Sequence, residues 1–166
     1  HRRFPLRSGM PREELRSRLK LDAPALDAVL AAAEAQGMVV TRDASVRLPD
    51  FTPIPTPEQQ RVVQRLLKEF ADAPHTPPAP DLEPELLNWL LDQEKLVRVA
   101  PDVAFLPETY AAFVAWVQQH IRATGSVTVA QFRDHFGASR KYALAVLEHL
   151  DEIKLTRRAG DARVLY

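Results

Sequence analysis

The chain repeats itself at intervals of 58 to 59 residues, and this repeat restricts its fold more than any other feature. One set of landmarks ends a helical pattern and opens an extended one: Met38, Leu96 and Leu155. A second set follows about ten residues later at the same two spacings: Leu48, Leu106 and Leu165. A period of this length indicates tandem copies of one supersecondary unit. The unit is predicted to be a helix, a short strand, a tight turn and a second short strand.

The third copy, residues 108–166, has the most complete pattern. Its first helix is predicted over Glu108–Ala123, and Gly125 ends it. A short extended segment follows, then a second helix over Gln131–Phe136 and a third helix capped by Ser139. The inward face of the third helix is predicted to comprise Ala143, Val146, Leu147, Leu150 and Ile153. Two strands then close the copy as a hairpin, at residues 156–158 and 163–165. This order of elements is typical of a winged helix-turn-helix.

The first copy, residues 1–56, shows the second and third helices and the wing. The helices are predicted over Pro11–Leu19 and Pro24–Gln36, and the wing over Val39–Leu48. Most of a first helix is absent, and the chain opens at His1 inside an evident segment. We therefore expect it to be part of a longer protein.

The middle copy, residues 57–107, begins with a long helix from Pro57 to about Ala71. Its second helix is replaced by the proline-rich segment 74–80, because prolines exclude a regular helix there. We predict that this module is a spacer. The fold class is thus mainly α with small β-hairpins, in three tandem winged helix-turn-helix modules.

Composition and motifs exclude several classes of protein. The chain has no cysteine, which excludes disulfides and thiolate metal sites and fits a cytoplasmic location. No apolar run approaches the ~20 residues that span a bilayer, so no membrane partner is expected. The five glycines form no phosphate-binding loop, and the five histidines lack metal-ligand spacing. His120 and His135 are expected to be exposed imidazoles.

Two pairs of acidic neighbours, Glu13–Glu14 and Asp151–Glu152, could be mistaken for catalytic carboxylates. Neighbours in a helix point about 100° apart, so both pairs are interpreted as solvated faces. We expect no enzymatic activity and no cofactor or metal in these residues.

The basic residues that best indicate a binding site lie in the third module. They lie at the start of its third helix, with Ser139, Arg140 and Lys141, and in its hairpin, with Arg157, Arg158 and Arg163. A helix N-terminus can bind phosphate, and arginines can fork onto phosphates or onto guanine. This pattern predicts nucleic-acid binding. The alternative is that the wing arginines only keep an edge strand soluble.

The distribution of charge favours a nucleic-acid contact confined to one end of the chain, rather than a general polyanion-binding surface. The three modules carry net charges of +2, −4 and +2. The first module also has a basic N-terminal stretch, consisting of Arg2, Arg3, Arg7, Arg12, Arg16, Arg18 and Lys20. The start of its third helix, Asp22–Ala25, is neutral to acidic. We therefore interpret the stretch as solvent surface or a weak electrostatic contact.

Residues 124–166 resemble the last winged helix of the SelB family, the bacterial selenocysteine-specific translation elongation factors. The similarity is carried by the run Phe-Gly-Ala-Ser-Arg-Lys-Tyr-Ala at 136–143 and by the wing Thr-Arg-Arg-Ala-Gly-Asp-Ala-Arg-Val-Leu at 156–165. The earlier copies match the family's string of winged helices only in pattern. The resemblance implies these RNA-binding positions: Ser139, Arg140, Lys141, Arg157, Arg158, Gly160, Asp161 and Arg163.

The resemblance also implies a function for the complete protein. The last module would bind the selenocysteine insertion hairpin of mRNA and tether a GTPase that delivers selenocysteinyl-tRNA to recoded UGA codons on the ribosome. GTP and Mg²⁺ would belong to a preceding part, together with a further winged helix. We expect a monomer.

Two other functions remain open at this point. Winged helices commonly act in DNA-binding regulators, although those usually dimerise through one module. Tandem winged helices can also form a protein-interaction scaffold that binds no nucleic acid. A competition between RNA and duplex DNA distinguishes these alternatives.

Overall fold

The computed structural model describes residue 1, residues 4–42 and residues 44–166. In chain order its elements are β1 (Met10–Pro11), α1 (Arg12–Leu19), α2 (Ala23–Ala35), β2 (Val40–Arg42), β3 (Ser45–Arg47), α3 (Pro57–Asp72), α4 (Pro84–Asp92), β4 (Val97–Ala100), β5 (Val103–Phe105), α5 (Pro107–Thr124), β6 (Val127–Thr128), α6 (Val129–Phe136), α7 (Arg140–Glu152), β7 (Thr156–Ala159) and β8 (Ala162–Leu165). The predicted class, mainly α with small β-hairpins in winged-helix order, is confirmed.

The described residues form two compact units. The first combines residues 1–57 with 83–92, and the second combines residues 58–82 with 93–166. The middle copy of the repeat therefore contributes α4 to the first unit and nearly all of α3 to the second. The module boundaries after residues 56 and 107 stay a prediction from the repeat.

The first unit contains an antiparallel sheet of order β1-β3-β2 beside helices α1 and α2. Asp22 caps helix α2, and its carboxylate accepts a hydrogen bond from the Ala25 N–H at 2.8 Å. Its buried side chains, Leu26 and Leu30, are four residues apart and pack with Val46 of β3. A single stripe of α2 is thus buried, as expected for an amphipathic helix.

The second unit contains the complete winged helix predicted for the third copy. Its sheet has the order β6-β8-β7, and Thr128 and Gln131 form a capping box that starts α6. Its core unites α5, α6 and α7 around Phe113, Phe132 and Leu147. Val99, Val103 and Phe105 of the β4–β5 hairpin belong to the same core. A hairpin from the middle copy therefore supports the third helix of the next copy.

The repeated landmark is a helix end. Gly37, Glu94 and Lys154 adopt left-handed backbone conformations after α2, α4 and α7. In the first and third copies the next residue donates a backbone hydrogen bond five residues back, from Met38 to Ala33 and from Leu155 to Leu150, both at 2.9 Å. This bond is typical of a Schellman motif. The same backbone motif thus ends each of these two helices and leads the chain into the wing.

Two details of the helices predicted for the third copy are wrong. Ile153 was placed on the inward face of the third helix, but α7 ends at Glu152 and Ile153 is 51% exposed. Helix α6 begins two residues earlier than predicted, because Thr128 caps it at Val129. No helix among the described residues is long and apolar enough to cross a membrane.

Candidate nucleic-acid interface

The start of α7 presents two basic side chains to solvent. Ser139 is the N-cap residue, and its backbone is extended before the helix begins at Arg140. Its hydroxyl makes no capping hydrogen bond, in contrast to the predicted cap. Arg140 and Lys141 are both exposed in the first turn, where helix N–H groups lack intrahelical partners. This segment offers backbone donors and positive charge at the same place.

Lys141 is paired with a residue outside the third copy. Its Nζ lies 2.5 Å from Oδ2 of Asp102, in the turn between β4 and β5. The hydrogen bond from Lys141 holds the pKa of Asp102 below its ordinary value, and the same bond raises the pKa of Lys141. Both groups are therefore charged at neutral pH. Arg140 makes no ion pair with any residue in the described part of the chain.

The wing is a tight hairpin whose turn consists of Gly160 and Asp161. Gly160 has φ +63°, which suits the first central position of a two-residue hairpin turn. Arg158 Nε donates to the Gly160 carbonyl at 3.0 Å, so this arginine also braces the turn. Arg157 is exposed and makes no ion pair or side-chain hydrogen bond within the residues that the structure describes.

Arg157 and Arg158 point to opposite faces of the wing, because successive strand residues alternate. Arg158 lies opposite Arg163 in the β7–β8 register, whereas Arg157 lies opposite Val164. Arg158 therefore shares the face on which Arg163 turns towards α7. The two wing arginines are expected to act differently on a ligand.

Arg163 is enclosed by the protein. Its residue is 3% exposed, and its Nε donates to Asp151 Oδ2 at 3.0 Å. Asp151 also accepts a hydrogen bond from Thr156 Oγ1 at 2.6 Å. One carboxylate near the end of α7 thus holds both strands of the wing. The RNA contact suggested for Arg163 stays a prediction, but this arrangement shows that the residue links the wing to α7.

Asp151 was interpreted from the sequence as a solvated acid, which is wrong. A signal was present, because Asp151 continues the four-residue spacing of Ala143 and Leu147 along the buried face of α7. An acid at the end of such a stripe requires a basic or hydrogen-bonding partner. The inward-facing position of Arg163 in β8 supplies one.

The proline-rich segment 74–80 contacts the helices of the third copy. Tyr142 of α7 donates its hydroxyl hydrogen bond to the Pro77 carbonyl at 2.6 Å. His75 Nδ1 lies 2.6 Å from the Phe136 carbonyl at the end of α6. The segment lacks a helix, as predicted, and it packs beside the basic start of α7.

The histidines of the third copy have a packing role that was missed. The ring of Trp116 stacks with the rings of His120 and His135, at centroid distances of 4.7 and 4.5 Å. His120 is half-buried, so its interpretation as an exposed imidazole is wrong. Among the residues described, no group of three or more potential ligands could hold a metal ion.

Four arginines of the first module's basic stretch are paired with acids. The arginines on α1 form ion pairs with neighbouring acids: Arg12 with Asp27, Arg16 with Glu13 at 2.6 Å, and Arg18 with Glu14 at 2.6 Å. Arg7 lies 3.4 Å from Glu14. Arg2 and Arg3 lie outside the described residues. The first module therefore offers less uncompensated charge than its sequence suggested.

Two family models match the chain, and both are described as the winged helix of elongation factor SelB. One covers residues 119–165, and the other covers residues 1–48. Together they span more than half of the sequence, including α6, α7 and the wing. The chain belongs to the SelB family. The SelB match thus includes every position predicted to bind RNA.

Curated SelB relatives agree with this assignment. The selenocysteine-specific elongation factor of Escherichia coli strain K12 is 28% identical over 130 residues, covering 72% of this chain and 21% of the relative. That of Desulfomicrobium baculatum is 24% identical over 177 residues, covering 98% and 28% respectively. The chain therefore spans between a fifth and a third of the length of these relatives.

Solved structures share the fold. The mRNA-binding domain of E. coli SelB in complex with SECIS RNA matches with a TM-score of 0.50 and 23% identity, over 66% of this chain and 98% of that one. A bacterial selenocysteine-specific elongation factor, EF-Sec, matches with a TM-score of 0.50 and 17% identity, over 95% of this chain and 26% of that one. At these identities the likeness concerns the SelB winged-helix fold.

Proposed function

We propose that the third module binds the selenocysteine insertion hairpin of an mRNA. The observation that carries the proposal is the exposed positive charge at the start of α7 and on the wing, within the segment that matches the SelB winged helix. Arg140 and Arg157 have no acidic partner in the described residues, unlike the arginines of α1 that pair with Asp27, Glu13 and Glu14.

The chemistry of RNA supports a compact site of this kind. The base edges of A-form RNA lie in a deep, narrow groove, so proteins recognise hairpins by backbone shape and by bases exposed in loops and bulges. A helix start and a two-stranded wing can contact backbone phosphates and an exposed base without entering that groove. The mRNA-binding domain of the E. coli relative was solved in complex with SECIS RNA, which favours the same ligand class here.

The complete protein is proposed to be an elongation factor. Binding the hairpin would hold a GTPase region and its selenocysteinyl-tRNA close to the recoded UGA codon on the ribosome, raising their local concentration. GTP and Mg²⁺ would bind in that region, and these winged helices would serve binding alone. We place the protein in the cytoplasm as a monomer.

The test is a titration of the full chain with three labelled ligands. They are a SECIS hairpin from a selenoprotein mRNA of the source organism, the same nucleotides in scrambled order, and duplex DNA of equal length. We expect the hairpin to bind at least tenfold more tightly than either control at 150 mM salt, a condition that must be stated because phosphate contacts are salt-dependent. Equal or tighter binding of the duplex would indicate a DNA-binding regulator. Absence of binding to all three would indicate a protein scaffold.

A further inference from the structure

We propose that Asp102 is a specificity-determining residue of this RNA site. It repels RNA backbone at the start of α7 and accepts a hydrogen bond from an N–H or O–H donor of the bound hairpin. The inference rests on the proposed function, since it concerns the same surface. It adds to that surface a carboxylate from the preceding copy of the repeat, outside the segment 119–165 that the SelB model matches.

Asp102 is paired with Lys141 and is open to solvent. Its Oδ2 lies 2.5 Å from Lys141 Nζ, and its side chain is 60% exposed, compared with 52% for Lys141. An ionised carboxylate has two oxygens with about four acceptor positions, and the ion pair uses one of them. Asp102 can therefore accept a further hydrogen bond from a ligand without releasing Lys141.

The turn that carries this carboxylate is held in place by the hydrophobic core. The strands on either side of this turn place Val99, Val103 and Phe105 in the core that they share with α7. The ring of Phe105 also contacts the ring of Tyr142, the residue that follows Lys141, at a centroid distance of 6.0 Å. Asp102 consequently stands at a constant place beside the helix start, as a residue that reads a ligand must.

A fixed negative charge at this place discriminates between two kinds of RNA complex. A strand held only by its phosphates binds in many registers, and most of them bring a phosphate near Asp102, where like charges repel. A hairpin held by base contacts binds in one register. That register can place a 2′-hydroxyl or a base N–H against the carboxylate, and RNA offers both. The repulsion therefore weakens mainly those RNA complexes that are held by phosphate contacts alone.

The variant that isolates this effect is Asp102→Asn, which keeps the shape and removes the charge. Asp134→Asn is the matched control, because Asp134 is also exposed, pairs with Arg133 at 2.6 Å and gives the same change in net charge. The wild-type chain and both variants are titrated with the SECIS hairpin and with oligouridylate of equal length. Thermal denaturation checks that all three proteins fold equally.

We expect Asp102→Asn to raise the affinity for oligouridylate about two- to fivefold, the range typical of an exposed ion pair. Its affinity for the hairpin should stay the same or fall, so the preference for the hairpin decreases. Asp134→Asn should leave that preference unchanged. An equal gain on both RNAs, or no change on either, would overturn the role of Asp102. If the wild type itself shows no preference for the hairpin, the proposed function fails, and the role of Asp102 fails with it.

Discussion

The first and third copies of the repeat share a backbone motif and differ in the chemistry of its surface. In both, a helix ends at a left-handed residue and leads into a short antiparallel wing. In the first copy the helix start is occupied by the capping carboxylate of Asp22. In the third, Ser139 leaves that place open and Arg140 follows it. The fold alone therefore does not specify a nucleic-acid site, which depends on the side chains at these positions.

The two copies also differ in how firmly the helix is supported. Helix α2 buries Leu26 and Leu30 on one stripe, whereas α7 buries five side chains over more of its circumference. The additional burial has a structural reason, because the β4–β5 hairpin packs on α7 together with α5 and α6. The helix that carries the candidate site is thus held on several sides, which limits its movement relative to the wing.

Even the carboxylate that joins helix to wing is present in both copies, three residues before the left-handed residue. In the third copy it is Asp151, which binds Thr156 and the buried Arg163. In the first it is Glu34, whose Oε1 accepts from the Thr41 N–H at 2.5 Å on the surface. The same link is buried and ionic in one copy and exposed in the other, so its loss should have unequal effects.

The largest expected effect is that of Asp151→Ala. Removing the acid leaves Arg163 buried without its partner, which costs about 3–5 kcal/mol in comparable buried ion pairs. We expect the lower end, since Asp151 retains 23% of its side-chain exposure. Urea denaturation of the variant measures the loss. Glu152→Ala is the control, because Glu152 is 76% exposed and its only ion-pair partner among the described residues is His149, at 4.0 Å. A loss below about 1 kcal/mol for Asp151→Ala would contradict the buried link.

The second prediction compares the wing arginines with those of α1. If Arg157 or Arg158 forks onto a base, its change to alanine should cost about 1–3 kcal/mol of affinity on the hairpin and little on scrambled RNA. If it contacts a phosphate, affinity should fall on every RNA, and the salt dependence should decrease by about one released ion. Because the two side chains lie on opposite faces of the wing, we expect unequal losses.

Arg16→Ala and Arg18→Ala serve as controls for the wing variants. Both arginines already pair with acids on their own helix, so their removal should leave RNA affinity unchanged. Equal, small losses for the wing and α1 variants would mean that the wing arginines only keep an edge strand soluble. The first and third copies would then not differ in RNA binding through these arginines.

The sequence predicted the helices of the third copy to within two residues, because apolar spacing and capping residues are local signals. It did not predict the burial of Arg163, which depends on Asp151, a residue that meets it only after the wing has folded back. Nor did it predict that Asp102 of one copy would face Lys141 of the next. The first contact depends on how the wing folds back on α7, and the second joins two copies that the repeat pattern treats separately.

A smaller effect separates the two helix starts. The Asp22 carboxylate accepts a backbone hydrogen bond, whereas the Ser139 hydroxyl accepts none. Asp22→Ala should therefore lower the free energy of unfolding by about 1 kcal/mol, the usual value of an N-cap side chain. Ser139→Ala should change it by no more than a few tenths of a kcal/mol. Thermal denaturation of the two variants tests this, and equal losses would mean that Ser139 caps α7 after all.

The smallest expected effect concerns Glu34 and pH. The side chain of Thr41, together with its backbone N–H, holds the pKa of Glu34 below its ordinary value of 4.5. A carboxyl group whose pKa is lower in the folded state stabilises the protein above its unfolded pKa, and this stabilisation is lost as the pH falls through the folded pKa. Wild type and Glu34→Gln should therefore differ in stability at pH 7 and converge as the pH drops below about 4. Denaturation curves for both proteins between pH 3 and pH 7 measure the difference. A constant difference over this range would show that Glu34 acts through packing, and that only the third copy uses a charged link between helix and wing.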